Sequence, residues 1–407
     1  LYEQPRIAKL KLSKNRGHTV NILLVSEFFP FCDAAGELQM PGGGENHMYA
    51  LGRELSGRNH VAVLTSDVPA TTYPEDRFPF RVYTVYNRKT AGQGSADLRY
   101  AVRLSRELKR ISNEFDVIVP QTLIPVFSAS LSRTKAPVVP IVHDVYQPLP
   151  LANGIAAWRD LKGGDTLKGV QACLLERACL RYASTCPITI TVSDPSFETL
   201  KYWIPRHKIR VTGNGVYLKE FTHNTKEIAV ICIARFDAPY KNIDIVCEAL
   251  FDTGVQTVIV GDGRLRPTIE RRWASENIQF TGHVSEERKK ELLSKSKILV
   301  SASSAEGFGI TLLEGLASGC LVAASDIAPH RFIDHGSDII KFFPVGDSEA
   351  VKSAVIELLQ LSGEESASLR KRANSLISHY WDWQVIAHKT ELLLDAVVEA
   401  PRPRQAR

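Results

Sequence analysis

Short aliphatic runs recur along this chain, and each is followed by a turn and then by apolar residues at helical spacing. The run Val20-Asn21-Ile22-Leu23-Leu24-Val25-Ser26 leads through Pro41-Gly42-Gly43-Gly44 to a helix expected from about Glu45 to Gly57. His47, Ala50, Leu51 and Leu55 share one face of that helix. Strands are expected next at Val61–Thr65, Val117–Val119, Val138–Val142 and Ile188–Val192, with helical segments between them. The pattern restarts at Ile228–Ala234, passes through a helix over 242–253 and the strand Thr257–Val260, and reaches another strand at Ile298–Val300. Strand alternating with helix implies a parallel sheet wrapped on both faces. At 407 residues the chain is too long for one such core, so two doubly wound units are expected, joined near Pro205–Lys219. Residues 1–19 are basic and patternless, an arm or an expression remnant.

Ligands of doubly wound sheets sit beyond the carboxyl ends of the strands, so two units of this kind predict a site in the cleft between them. One stretch after such a strand carries most of the chemistry: Glu306-Gly307-Phe308-Gly309-Ile310-Thr311-Leu312-Leu313-Glu314. Strand, tight loop and helix would leave the N–H groups of Gly309 to Leu312 at a helix N-terminus, where the backbone favours an anion such as a phosphate. Glu314 lies further along the helix, where its carboxylate could accept two hydroxyls of a sugar. An isolated pair of glutamates at this spacing would more simply be a solvated loop residue and an exposed helix position.

Other candidates also follow strands. Arg235 and Lys241 stand six positions apart after Ala234, and both could face a diphosphate, the guanidinium as a fork and the ammonium as a point charge. Surface solvation is the bland alternative. Gly261-Asp262-Gly263 opens a helix after Thr257–Val260, and Gly43 and Gly44 precede the first helix. Glycine permits close backbone approach to a ligand, or simply a turn. His143-Asp144 ends the strand Val138–Val142, and Asn214-Gly215-Val216 follows Ile209–Thr212 near the junction.

The phrase Glu306-Gly307-Phe308-Gly309, continued by Glu314-Gly315, Ala317 and Gly319, resembles the signature of the retaining glycosyltransferases of family 4. That group has the GT-B fold, two Rossmann-like domains about a cleft. The resemblance implies an acceptor-side domain over 20–207 that regains about 380–407 through a C-terminal crossover helix at Tyr380-Trp381-Asp382-Trp383. It implies a nucleotide-sugar-binding domain over 208–379. It further implies that Arg235 and Lys241 neutralise the leaving nucleoside diphosphate, with Gly43, Gly44, Phe308, Gly309, Ile310 and Thr311 around the donor. Gly261 and Gly263 would lie by the base, Glu314 on the ribose, and Glu306 and His143 on the sugar. The reaction so implied moves a hexose from a GDP- or UDP-sugar to a hydroxyl acceptor with retained anomeric configuration, as in glycolipid, polysaccharide or other glycoconjugate synthesis.

Composition sets bounds on this reading. A net charge of +5 over this length gives no sign of a nucleic-acid partner. No Asp-x-Asp occurs in the chain, which removes the usual carboxylate pair for a metal-bridged diphosphate, so transfer without metal or other cofactor is expected. Cys32, Cys173, Cys179, Cys186, Cys232, Cys247 and Cys320 contain no Cys-x-x-Cys pair and read as reduced core residues of a cytoplasmic protein. No apolar run approaches the roughly 20 residues of a membrane span. A helix over Asp97–Phe115 gathers Arg99, Arg103, Arg106 and Arg110 toward one face, with Leu98, Val102, Leu108 and Ile111 in part opposite. That stripe could rest on anionic lipid at the inner face of a membrane, or be an ordinary solvated face. The rival functions are a sugar-nucleotide epimerase of the same architecture and a non-catalytic nucleotide-sugar-binding protein. Sugar, base, acceptor and linkage are not legible in the sequence.

Overall fold

The computed structural model describes residues 19–32, 38–39, 43–67, 72–87, 98–143, 166–222 and 224–401. The arm over 1–18, Pro41-Gly42, Asp97, Asp144 and the tail beyond Pro401 lie outside the described residues. In the first half run β1 (Asn21–Val25), the short antiparallel pair β2 (Phe31–Cys32) and β3 (Leu38–Gln39), β4 (His60–Asp67), β5 (Arg81–Tyr86), β6 (Val117–Pro120), β7 (Ile141–Val142), β8 (Thr189–Thr191) and β9 (Ile209–Val211). Strands β5-β4-β1-β6 form one parallel sheet and β7-β8-β9 another. Parallel bridges Ile118–Val138 and Gln121–Ile141 join the two edge to edge. The strand expected over Val138–Val142 shrinks to a bridge and a two-residue β7, because Pro137 and Pro140 each remove a ladder N–H.

The second half holds β10 (Ile228–Ile233), β11 (Thr257–Val260), β12 (Ile278–Gly282), β13 (Ser296–Ser301), β14 (Leu321–Ser325) and β15 (Ile340–Phe343). Their order is β12-β11-β10-β13-β14-β15, all parallel. The expected helices appear at Gly43–Leu55 and Ile243–Leu250, and Gly43 and Gly44, expected before the first helix, are its first two residues. All seven cysteines are buried free thiols.

The chain crosses between its halves twice, and the crossings are bonded to each other. Val216 N–H donates to the Trp381 carbonyl at 2.9 Å, and Trp383 N–H donates to the Val216 carbonyl at 3.2 Å. A π-helical turn, Ile377–Trp381, breaks the helical run here and lets the chain change direction. Trp381 is buried against Phe308 and Phe332, and its indole N–H donates to the Ile333 carbonyl at 3.1 Å. Asp382 then caps the helix Trp383–Glu399. Its Ala387, Leu394 and Val397 are buried with Val20, Met48, Leu51 and Leu55, so the C-terminal helix is packed on the first half. These two adjacent crossings bring the carboxyl ends of both sheets to one place.

Candidate active site

The turn after β13 and the turn after β10 are stitched together. Ser304 N–H donates to the Tyr240 carbonyl at 2.8 Å, and Asn242 Nδ2 donates to the Ala302 carbonyl at 3.0 Å. This stitching sets Lys241 Nζ 2.6 Å from Glu306 Oε1, which also accepts from Ser303 Oγ at 2.8 Å. Two residues read separately, one for a diphosphate and one for a sugar, are thus partners in the free protein. Both side chains are largely buried.

Gly309 caps the helix Ile310–Ala317 with φ of +99°, a conformation that glycine adopts without strain. Leu312 N–H is already taken by the Gly309 carbonyl at 2.9 Å, so the expected set of donors contracts to Gly309, Ile310 and Thr311. The Phe308 ring is buried edge-to-face on Phe332 and Trp381, which leaves the backbone as what this residue presents to the turn.

Glu314, expected at the ribose, is paired with Lys289, whose Nζ lies 2.8 Å from both Glu314 and Glu286. Burial alone would lower the Lys289 pKa, but the two carboxylates outweigh it and hold the pKa raised. Lys289 has no motif to flag it, since it comes from the otherwise surface-like helix Glu286–Lys295.

Gly261 and Gly263 have a structural duty of their own. A Cβ on Gly261 would stand 1.9 Å from the Ala234 carbonyl oxygen, and one on Gly263 would stand 2.6 Å from Asp237 N. The turn after β11 therefore lies directly on the turn after β10, with Phe236 N–H donating to the Asp262 carbonyl at 2.9 Å.

On the first half, one hydrogen-bond chain fixes the chemistry of His143. The Gly44 carbonyl can only accept, so Gln121 Nε2 donates to it at 2.6 Å. Gln121 Oε1 must then accept from His143 Nε2–H at 3.0 Å. Burial holds His143 well below the usual histidine range, reinforced by His47, whose ring lies 4.9 Å away. The imidazole is neutral, and its free lone pair is on Nδ1. Gln121, fully buried at the end of β6, was not singled out in the sequence. Its signal was only its position at a strand's carboxyl end.

A clasp connects His143 to the glutamate turn. Ser196 Oγ donates to the His143 carbonyl at 2.8 Å, and Ser193 Oγ donates to the Gly307 carbonyl at 2.9 Å. Ser193 caps the helix Asp194–Leu200, so the two serines are set by one helix start. A second approach between the halves is electrostatic. Burial raises the Glu45 pKa, opposed by its backbone hydrogen bond and by Arg235. Glu45 lies in the first turn of the helix Gly43–Leu55 and Arg235 follows β10, so the attraction between these two charges runs between the two halves.

The arginine helix, Leu98–Ile111, buries Tyr100, Ala101, Leu104, Leu108 and Ile111. Arg99, Arg103, Arg106 and Arg110 are exposed, as expected. Leu98 and Val102 are exposed beside them, 56% and 41%, rather than opposite. Arg103 stacks over Tyr86 and Arg110 pairs with Glu107. Among the described residues no three His, Cys, Asp or Glu side chains gather as metal ligands, and no helix is long and apolar enough to cross a membrane.

Residues 41–220 match the family Glycosyltransferase Family 4, and residues 227–361 match Glycosyl transferases group 1. The chain is a family 4 glycosyltransferase. This glycosyltransferase is 27% identical to the phosphatidyl-myo-inositol mannosyltransferase of Mycobacterium tuberculosis over 388 residues, 88% of this chain and 94% of that protein. The enzyme of the same name from Mycobacterium leprae is 29% identical over 181 residues, 41% of this chain and only 46% of its own length. The crystal structure of Anabaena HepE in complex with UDP-glucose superimposes with a TM-score of 0.72 at 16% identity, covering 93% of this chain and 100% of that one. Its likeness establishes the GT-B fold.

Proposed function

We propose that this glycosyltransferase moves a hexose from a GDP- or UDP-sugar to an acceptor hydroxyl, with retention and without a metal ion. The observation that carries this reading is the clasp of Ser193 and Ser196, which holds neutral His143 against the turn bearing Glu306 and the helix N-terminus at Gly309. A diphosphate fits the N–H groups of Gly309, Ile310 and Thr311, with Arg235 and Lys241 as countercharges. Glu306 and His143 then flank the sugar, and Glu314 meets the ribose hydroxyls. Lys241 and Lys289 leave their carboxylates in part as the donor enters, so the free site keeps its charges compensated.

In the transfer step the bond from C1 to the phosphate oxygen breaks and the acceptor oxygen bonds to C1 on the same face. The acceptor proton passes to the departing phosphate. Cations on the chain stabilise that leaving group in place of a metal. For the domain division we propose 20–207 with 380–407, and 208–379. An acceptor anchored in lipid suits the exposed basic helix and agrees with relatives named for phosphatidyl-myo-inositol, and the location we propose is the cytoplasmic face of a membrane.

The test is donor turnover with GDP-mannose and UDP-glucose, with and without phosphatidyl-myo-inositol, in the presence of a chelator. Nucleoside diphosphate release that needs acceptor, survives chelation and yields a product with the donor's anomeric configuration is expected. Conversion of the donor to an epimer, or release indifferent to acceptor, would refute the assignment.

A further inference from the structure

Behind the Glu306–Gly309 turn lies a histidine that the donor chemistry has not used. His330 is fully buried on the helix Ala328–Asp334. Its Nδ1 is 2.8 Å from the Ser325 carbonyl oxygen, which can only accept, so Nδ1 carries the proton. Nε2 is therefore a lone pair, and among the described residues it is buried without a hydrogen-bond partner. An orphaned acceptor of this kind costs stability and calls for an explanation.

The ring edge that carries Nε2 faces the helix cap. A Cβ on Gly309 would stand 3.3 Å from His330 Cδ2 and 3.6 Å from Nε2, so glycine leaves that edge uncovered by a side chain. Burial lowers the His330 pKa; the Ser325 carbonyl and Glu306 act against it, and Lys241 acts with it. The ring is thus neutral at neutral pH and offers an acceptor, not a cation. A phosphate oxygen has no proton to give such an atom, whereas a sugar hydroxyl has.

We infer that His330 Nε2 accepts a hydroxyl of the donor's hexose and so helps to set which sugar is transferred. This rests on the donor site proposed above. The sugar reaches the ring edge as Lys241 turns from Glu306 to the diphosphate, and His330 and Glu306 then read hydroxyls from neighbouring positions. Serine 325 holds the ring in register: its Oγ donates to the Ser303 carbonyl, two residues beyond β13, and its own carbonyl fixes the tautomer.

The experiment is calorimetric binding of UDP, GDP, UDP-glucose and GDP-mannose to the full chain, wild type beside His330→Asn and His330→Gln. Asparagine keeps a donor for the Ser325 carbonyl but lacks an atom at Nε2; glutamine can place an amide oxygen near that position. The sugar nucleotide bound by the wild type is expected to lose about tenfold in affinity in His330→Asn and less in His330→Gln. The matching free diphosphate should bind all three proteins alike. Equal sugar-nucleotide affinity in wild type and His330→Asn overturns the inference, as does equal loss of the free diphosphate, which would move the histidine to the phosphate or to folding. If His330→Asn does not fold, donors lacking one sugar hydroxyl decide. One of them should be penalised more in the wild type than in His330→Gln, and equal penalties in both overturn the inference. A wild type that binds none of the four ligands refutes the donor site itself.

Discussion

Lys241 and Glu306 show how a free glycosyltransferase site can hold a cation and a carboxylate ready without leaving either charge buried alone. An unpaired buried charge is costly, and each partner here removes that cost for the other. On the proposed reading, donor binding would replace this salt link by an ammonium–diphosphate pair and a hydrogen bond from a sugar hydroxyl to the carboxylate. Lys241→Ala should therefore lower kcat by about 100-fold, the usual scale for losing one preorganised charge opposite a developing anion. The check is kcat at saturating donor beside a melting curve; an unchanged kcat would refute the leaving-group role. The sequence made each of these residues a candidate through its place after a strand. Their pairing was not legible, because it depends on the bonds Ser304 to Tyr240 and Asn242 to Ala302, which join positions some 60 apart. Gln121 and Lys289 were missed for a related reason. Each acquires its role only from what the fold sets opposite it, His143 in one case and Glu314 in the other.

The junction of the two crossings is built from three elements that meet at one histidine. His47, on the helix Gly43–Leu55, hydrogen-bonds Asn214 Oδ1 through Nδ1 and stands edge-to-face on Trp383, 5.1 Å away, and on His143. Burial lowers its pKa to about 4, with the Asn214 bond opposing. The folded ring thus stays neutral while the unfolded one titrates near 6.5, so below that pH the unfolded chain binds more protons. Stability from this residue is complete above pH 6.5 and is lost as pH falls toward 4. Between pH 7 and 5 the loss should be about 2 kcal/mol, and His143, shifted the same way, adds to it. Denaturant unfolding at the two pH values measures the sum, and His47→Gln should reduce the pH dependence; an equal dependence in both proteins refutes it. Sequence periodicity placed His47 on the buried face of its helix but could not distinguish core from junction. At this scale the strand Thr257–Val260 was read to the residue, since a short apolar run between a polar stretch and a glycine turn leaves little latitude. Strands β2, β3, β5, β12, β14 and β15 went unread. β5 mixes exposed and half-buried positions at the sheet edge, and β14 is short and rich in alanine.

At the scale of the whole molecule, exposed apolar and cationic groups stand side by side on the helix Leu98–Ile111. Leu98 and Val102 stand among Arg99, Arg103, Arg106 and Arg110, with Tyr86 alongside at 55% exposure. Helical spacing already put the arginines on one shared face, but it set the two apolar residues on the other side. With them outward, the helix offers both contributions that a lipid surface rewards, apolar area and positive charge. The rest of the helix is held by its buried row, so the outward face can be altered without touching the core. Each cation near an anionic leaflet contributes about 1 kcal/mol, roughly fivefold in partitioning. Co-sedimentation with phosphatidylserine vesicles should exceed that with phosphatidylcholine vesicles, and added salt should suppress it. Arg99→Gln with Arg106→Gln should reduce the partitioning about 25-fold by that scale while sparing nucleoside diphosphate binding, which we propose for the other half. Partitioning unchanged by the double substitution would identify this surface as an ordinary solvated face, and any lipid acceptor would then have to be approached by some other part of the molecule.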